Sequence, residues 1–379
     1  MKLHIAFVGG GTGGHFYPLI GVAESLRQTD TDNEMLFYYL GPDAYDPEAL
    51  SKVSMQYVHC PAGKLRRYLS WRNIIDCFKT GGGIVVAFFK LLLLYPDVIF
   101  SKGGYTSLPI VIAGWVLRIP IVIHESDAKP GLASKLATPL ASQIKVAYQD
   151  VLESFPKKKT ELVGIPSRSN FFTPPQPNIL GIKLDRPLIF VTGGSTGAKR
   201  INDLILESLD ELLEEYTILH QTGTANEELV EQTAIGLFGG GGQLDYYHTR
   251  GYLGADEFNA ALATATLIIS RAGSTTIHQI ALKGKPSILI PIPEDVSHDQ
   301  RTNAYAYARA GATSVIEEGN LTDNLLKAEV DRIVKDEKLY QSMSQAAKSF
   351  ARPQAAEKIA ADLLEISYEH NQKQTKQTK

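Results

Sequence analysis

The chain is nearly without cysteine: Cys60 and Cys77 are the two among 379 residues, and they form no CxxC pair. This excludes a disulfide-stapled scaffold or a thiolate zinc site and fits a reduced compartment. An excess of one charge is also lacking. With 38 basic and 41 acidic residues the net charge is -3, which argues against nucleic acid as a partner. Long apolar runs are missing too. The best membrane-spanning candidate, Ile84–Tyr95, contains Lys90, stops at Pro96 and is too short for a bilayer. Leu3–Val8 runs into glycines rather than a small-residue cleavage site, unlike a signal peptide. The polar tail, residues 372–379, reads as frayed. What remains is ample apolar content, 44%, enough for the cores of two domains.

Short apolar runs alternate with helical periodicity. Strands are expected at Leu3–Val8, Met35–Leu40, Val98–Ser101, Ile119–Ile123, Gln143–Ala147, Leu188–Val191, Thr217–Gln221, Thr266–Ser270 and Ser287–Ile290. Several are continuously apolar, as parallel strands buried on both faces are. Leu19, Val22, Ala23 and Leu26 are spaced for one helix face, and so are Ile201, Leu204, Ile205 and Ser208–Leu209, with one polar slip at Ser208. The Leu91–Leu94 run reads as core. The fold class is therefore α/β, doubly wound.

One plan occurs twice. IAFVGGGTGGH (5–15) and IFVTGGSTGAKR (189–200) are each a buried strand, a glycine-rich turn and a helix start, the opening of a Rossmann-like domain. A proline-rich polar stretch, 167–178, separates them. The expected organisation is a first domain at 1–165, a linker at 166–186, a second domain at 187–352, and a C-terminal helix and tail at 353–379, the helix capping the second domain or returning to the first. A cleft is expected between the domains.

The turn at Gly9–Gly14 matches GxGxxG, but the acidic residue that would hold a dinucleotide ribose is missing where the second strand ends at Leu40-Gly41. No lysine follows the glycines as a Walker loop requires. Backbone amides beside a helix N-terminus still suit an anion or developing negative charge. His15 follows directly and is a candidate base, kept neutral by the helix dipole. The turns at 193–198, with Ser195, and at 270–276 place similar features in the second half, which points to a phosphorylated ligand there. Arg168 is placed to clamp a diphosphate. Asp30-Thr31-Asp32 spells DxD, yet it sits in a polar loop and reads as solvated, so no metal is expected. Lys64, Arg66, Arg67 and Arg72 are interleaved with Trp71, Ile75 and Phe78, the composition of a surface that docks on anionic lipid. The alternative is an amphipathic helix packed inward.

These motifs together resemble the MurG family of bacterial N-acetylglucosaminyltransferases. They are GGTGGH (10–15), SKGGY (101–105), HESD with PG (124–131), GIPSR (164–168), GGSTGA (193–198) with Asn202, SRAG (270–273) and DQRTNA (299–304), and the likeness runs from Leu3 to about Ala361. The resemblance implies the two-domain GT-B fold without a cofactor, and transfer of N-acetylglucosamine from UDP-N-acetylglucosamine to the C4 hydroxyl of the muramyl sugar of undecaprenyl-linked lipid I, at the cytoplasmic face of the membrane. By resemblance, Thr12, Gly13 and Gly14 line the first turn, with His15 the base and Glu125 the second candidate. Asp127 lies beside the donor sugar. Arg168 and Ser195 meet the nucleotide, and Leu253 offers backbone groups to uracil. Ser274, Thr275 and Thr276 line phosphate and sugar, and Gln300 reads sugar hydroxyls. Three positions depart from the family pattern: Asp127 and Ser134 stand where asparagine is common, and Gln279 where a glutamate usually holds the ribose. Rival readings are a diacylglycerol glycosyltransferase, a non-catalytic UDP-sugar-binding module and an NAD-dependent oxidoreductase.

Overall fold

The computed structural model describes residues 2–30, 33–63, 72–176, 178–194, 197–239, 241–293 and 300–377, without the side chains of 72–75, 77 and 374–377. The chain divides into two compact units, Met1–Ser169 with Arg352–Lys379, and Asn170–Ala351.

In the first unit β1 (Lys2–Val8), β2 (Glu34–Gly41), β3 (Met55–His59), β4 (Val98–Ser101), β5 (Ile121–Glu125), β6 (Gln143–Val146) and β7 (Thr160–Leu162) form one sheet in the order β3-β2-β1-β4-β5-β6-β7. In the second, β8 (Leu188–Thr192), β9 (Thr217–Gln221), β10 (Tyr247–Arg250), β11 (Leu267–Ser270), β12 (Ser287–Leu289) and β13 (Thr313–Val315) run β10-β9-β8-β11-β12-β13. Every pairing is parallel. Parallel neighbours need crossovers, and the helices between strands supply them.

Apolar continuity in the strands becomes burial on both faces: Phe7, Phe37 and Phe100 are buried, and Phe7 meets the other two edge to face. Fully burying one such side chain stabilises by about 1.5–3 kcal/mol. The helix Gly13–Thr29 turns Leu19, Val22, Ala23 and Leu26 inward, and Lys199–Glu207 does the same with Ile201, Leu204 and Ile205.

The C-terminal helix, Ala355–Gln377, packs against Gly13–Thr29 and places Ile359, Ala360, Leu363 and Leu364 in the first unit's core. Polar anchors fix it. Lys145 is buried and ion-paired to Glu161 and Asp362, and the Tyr368 hydroxyl donates to Asp30. Asp30 also accepts from Asn33, so it has an anchoring role; Thr31 and Asp32 lie outside the described residues.

The four-leucine run departs from its expected place. Leu91 is fully buried, but Leu92 and Leu93 are exposed, Leu93 at 82%. It belongs to the helix Arg72–Leu94, whose turn of about 100° per residue cannot bury four consecutive side chains against one neighbour.

Candidate active site

In each sheet the strand order reverses once, between β1 and β4 and between β8 and β11. Loops at the carboxyl ends of such strands diverge and leave a crevice where ligands bind. Val8 pairs with Ser101, and Thr192 with Ser270. The three turns read from the sequence, 9–14, 193–198 and 270–276, thus lie at the two reversal points, and so do residues 102–104 of the SKGGY motif.

The first turn is held from behind. The Tyr39 hydroxyl donates to the Gly9 carbonyl at 2.8 Å. Gly11 has a φ of +85°, and a Cβ there would lie 3.1 Å from the Tyr105 ring, so both backbone and space demand glycine. Thr12 is the N-cap, in extended conformation, without a side-chain capping bond. Its hydroxyl instead lies 2.8 Å from Nδ1 of His15. His15 sits in the first helical turn, half-buried, its ring against Gly104, whose φ of +78° again requires glycine. With Nδ1 engaged by Thr12, Nε2 is the nitrogen presented to a substrate. Burial, and then the positive charge of Lys102, push the His15 pKa down to about 4, with Asp127 acting in the opposite sense. The ring is therefore a neutral base at physiological pH.

Glu125 is 4% exposed at the end of β5. Its Oε1 accepts from the Asp127 amide at 3.0 Å, its Oε2 from the Gly131 amide at 2.9 Å, and the Ser134 hydroxyl donates to it as well. Burial and then Asp127 raise its pKa, while these donors lower it. A carboxylate so occupied shapes the 125–131 loop. Ser134, one of the departures from the family pattern, helps to hold it.

Arg168 stacks on Tyr17, its guanidinium carbon 4.6 Å from the ring centroid, and the adjacent Ser169 amide donates to Glu24. Both contacts lie within the first unit.

In the second unit Gly273 caps the helix Ser274–Leu282, which has no acid in its own first turn. Ser274 is buried, and Thr275, Thr276 and Gln279 are half-exposed along the next turn. Gln300 Oε1 accepts from the Ala272 and Ile292 amides at 3.2 and 3.3 Å. Two N–H donors on one atom fix the side-chain amide, so its NH2 is the group left for a ligand. Leu253 lies between β10 and the helix Ala255–Thr264, its side chain buried in the core. Ser195 lies outside the described residues. Behind its turn, His220 is fully buried and bridges the Tyr247 hydroxyl at 2.9 Å and Asn202 Oδ1 at 3.1 Å, while Asn202 donates to the Thr222 carbonyl.

Of the interfacial segment, Lys64, Arg66, Arg67 and Trp71 lie outside the described residues, and the side chains of Arg72 and Ile75 are not described. Phe78 is 78% exposed, and Val85, Phe89 and Leu93 continue the same helix as exposed apolar residues, with Trp115 and Val116 on the packed neighbouring helix Leu108–Val116. Among the described residues no helix is long and apolar enough to cross a membrane, and no three His, Cys, Asp or Glu side chains are grouped to hold a metal ion.

Sequence reasoning missed Lys102, Tyr39 and the His220 network. Lys102 carried a signal: a lysine directly after a buried strand, before two glycines.

Models of the glycosyltransferase family 28 N-terminal and C-terminal domains match residues 5–146 and 188–359. A Bacillus anthracis protein named UDP-N-acetylglucosamine–N-acetylmuramyl-(pentapeptide) pyrophosphoryl-undecaprenol N-acetylglucosamine transferase 2 is 35% identical over 342 residues, 89% of this chain and 93% of its own length. A Staphylococcus saprophyticus protein of the same name, without the number, is 35% identical over 368 residues, 95% and 99% of the two chains. The crystal structure of Acinetobacter baumannii MurG is similar in fold, with a TM-score of 0.72 at 22% identity, covering 96% of this chain and 99% of that one. The UDP-GlcNAc 2-epimerase of Neisseria meningitidis has a TM-score of 0.68 at 14% identity, covering 96% and 99%. The fold is thus common to transferases and epimerases, and sequence identity separates them: the chain belongs to glycosyltransferase family 28 and, within it, to the MurG family of N-acetylglucosamine transferases.

Proposed function

We propose that this enzyme transfers N-acetylglucosamine from UDP-N-acetylglucosamine to the C4 hydroxyl of N-acetylmuramyl-pentapeptide pyrophosphoryl-undecaprenol, lipid I, giving lipid II with inversion. The observation that carries the mechanism is the Thr12–His15 pair at the first turn. His15 Nε2 takes the acceptor hydroxyl's proton, and the oxygen's electron pair forms the bond to the sugar C1. The bond from C1 to the β-phosphate oxygen breaks, and UDP leaves with its electrons. Helix amides at Ser274–Thr276, with Ser195 and Arg168, offset charge on the leaving diphosphate. Gln279 faces the ribose, Leu253 the uracil, and the Gln300 amide and Asp127 the sugar. Thr12, Gly13 and Gly14 line the acceptor side. Glu125 supports the loop that carries Asp127.

The acceptor's lipid requires a membrane surface. The apolar row from Phe78 to Leu93, with the basic residues of the preceding segment, supports docking of the first unit at the cytoplasmic face. The assignment is tested by incubating radiolabelled UDP-N-acetylglucosamine with a lipid I analogue. Label is expected in a disaccharide product with a β linkage, and free N-acetylmannosamine or N-acetylglucosamine with no disaccharide would reject it.

A further inference from the structure

Lys102 follows β4 directly and is 1% exposed. Its amide donates to the Val8 carbonyl at 2.8 Å, which fixes its backbone beneath the first turn. Its Cβ is so close to Gly9 that a Cβ on Gly9 would lie 2.8 Å from it and 3.0 Å from the His15 carbonyl. The ammonium is buried and makes no hydrogen bond among the described residues. An ammonium buried without a hydrogen bond is costly.

The charged groups around His15 come from two strand ends: Lys102 after β4, and Asp127 after β5, with Glu125 next to Asp127 and acting on Lys102. A base must be proton-free before the reaction and must accept a proton during it. Burial, the largest effect on His15, already favours the neutral ring, while Asp127 favours the imidazolium, which helps the second requirement and works against the first. A cation in the same low-dielectric pocket corrects this. Burial lowers the Lys102 pKa to about 8, and the Glu125 and Asp127 carboxylates act against that fall, so the ammonium keeps its proton at neutral pH.

We propose that Lys102 is a positioning residue for proton transfer: its buried ammonium, which makes no hydrogen bond among the described residues, offsets the Asp127 carboxylate beside His15 and adds to burial in keeping the imidazole free of a proton between turnovers. Lys102 and Asp127 then work as opposed charges, one emptying the base and the other stabilising the imidazolium it becomes. The proposal rests on His15 being the base.

The test is the titration of the His15 ring, followed by NMR of the full chain labelled at histidine carbons, beside the pH profile of kcat/KM. In Lys102→Met, whose side chain is similar in length and uncharged, the His15 titration is expected about one pH unit or more above wild type, and the acid limb of kcat/KM should move by the same amount. Lys102→Arg, which keeps the charge, should titrate close to wild type. Lys102→Gln takes the place of Lys102→Met if that variant melts early. A folded, uncharged variant with an unmoved His15 titration overturns the proposal. A moved titration with an unmoved acid limb upholds the charge effect of Lys102 and removes His15 as the base.

Discussion

Thr12 occupies the N-cap of the first helix, yet its hydroxyl bonds His15 Nδ1 at 2.8 Å and caps no helix amide. An N-cap bond is worth about 1 kcal/mol, so this helix forgoes a common stabilisation to orient an imidazole. Thr12→Val is expected to lower kcat about tenfold, the effect of losing one orienting hydrogen bond, with the melting temperature unchanged. Thr12→Ser should retain activity. His15→Ala should lower kcat about a hundredfold or more with little effect on donor KM. Near-normal turnover of His15→Ala would exclude it as the base.

Glu125 predicts a different pattern. In Glu125→Gln one of the two oxygens that meet the Asp127 and Gly131 amides becomes an NH2, and a donor then faces a donor. A loss of about 1–3 kcal/mol is expected, read as a lower melting temperature together with lower activity. A variant of wild-type stability and no turnover would return Glu125 to the chemistry.

His220 should make the protein acid-sensitive. Burial lowers its pKa from the ordinary 6.5 to about 3. Between those values the unfolded chain binds a proton that the folded chain refuses, so stability falls as pH drops from 6.5 towards 3, by at most about 1.4 kcal/mol per pH unit. Melting temperatures from about pH 7 to 4 should show this slope, and His220→Gln should reduce it, the remainder coming from His15.

The proposed ribose contact makes donor affinity the readout for Gln279. The family usually carries a glutamate here to hold the ribose, and a charge-assisted hydrogen bond exceeds a neutral one by about 1 kcal/mol. Gln279→Glu is therefore expected to lower the KM for UDP-N-acetylglucosamine about fivefold with kcat little changed. A raised KM would place the ribose elsewhere.

Membrane docking separates by charge and by apolar area. Reversing Arg66 and Arg67 to glutamate should weaken co-sedimentation with anionic vesicles at low salt and matter less at high salt, each basic residue contributing about 1 kcal/mol. Phe78→Ser with Leu93→Ser should weaken it at both salts. Turnover of a water-soluble acceptor should barely change, and unchanged sedimentation of both variants would reject the surface.

The nine strands expected from apolar runs are the nine interior strands of the two sheets. The four missed, β3, β7, β10 and β13, are the four edges. An edge strand has one neighbour and a wetter environment, as the half-buried Thr160–Leu162 shows, so it needs no continuous apolar run. The glycine turns were legible because φ above zero and close backbone approach leave few alternatives. The destination of Glu125 was not, because nothing local tells a carboxylate that accepts backbone amides from one that accepts a proton. Nor was the burial of Lys102, since a lysine after a strand is ordinarily solvated.

The return of the last helix to the first unit has a consequence for synthesis. Ile359, Ala360, Leu363 and Leu364 cover a core whose other members are at residues 3–163. While the ribosome is still making the second unit, that apolar surface on the helix Gly13–Thr29 has no cover. The second unit, Asn170–Ala351, is continuous in the chain and is able to close first. The unit that begins at the N-terminus is therefore the last to be completed, and a nascent chain stopped before residue 355 carries an open groove, a site for chaperones or for aggregation.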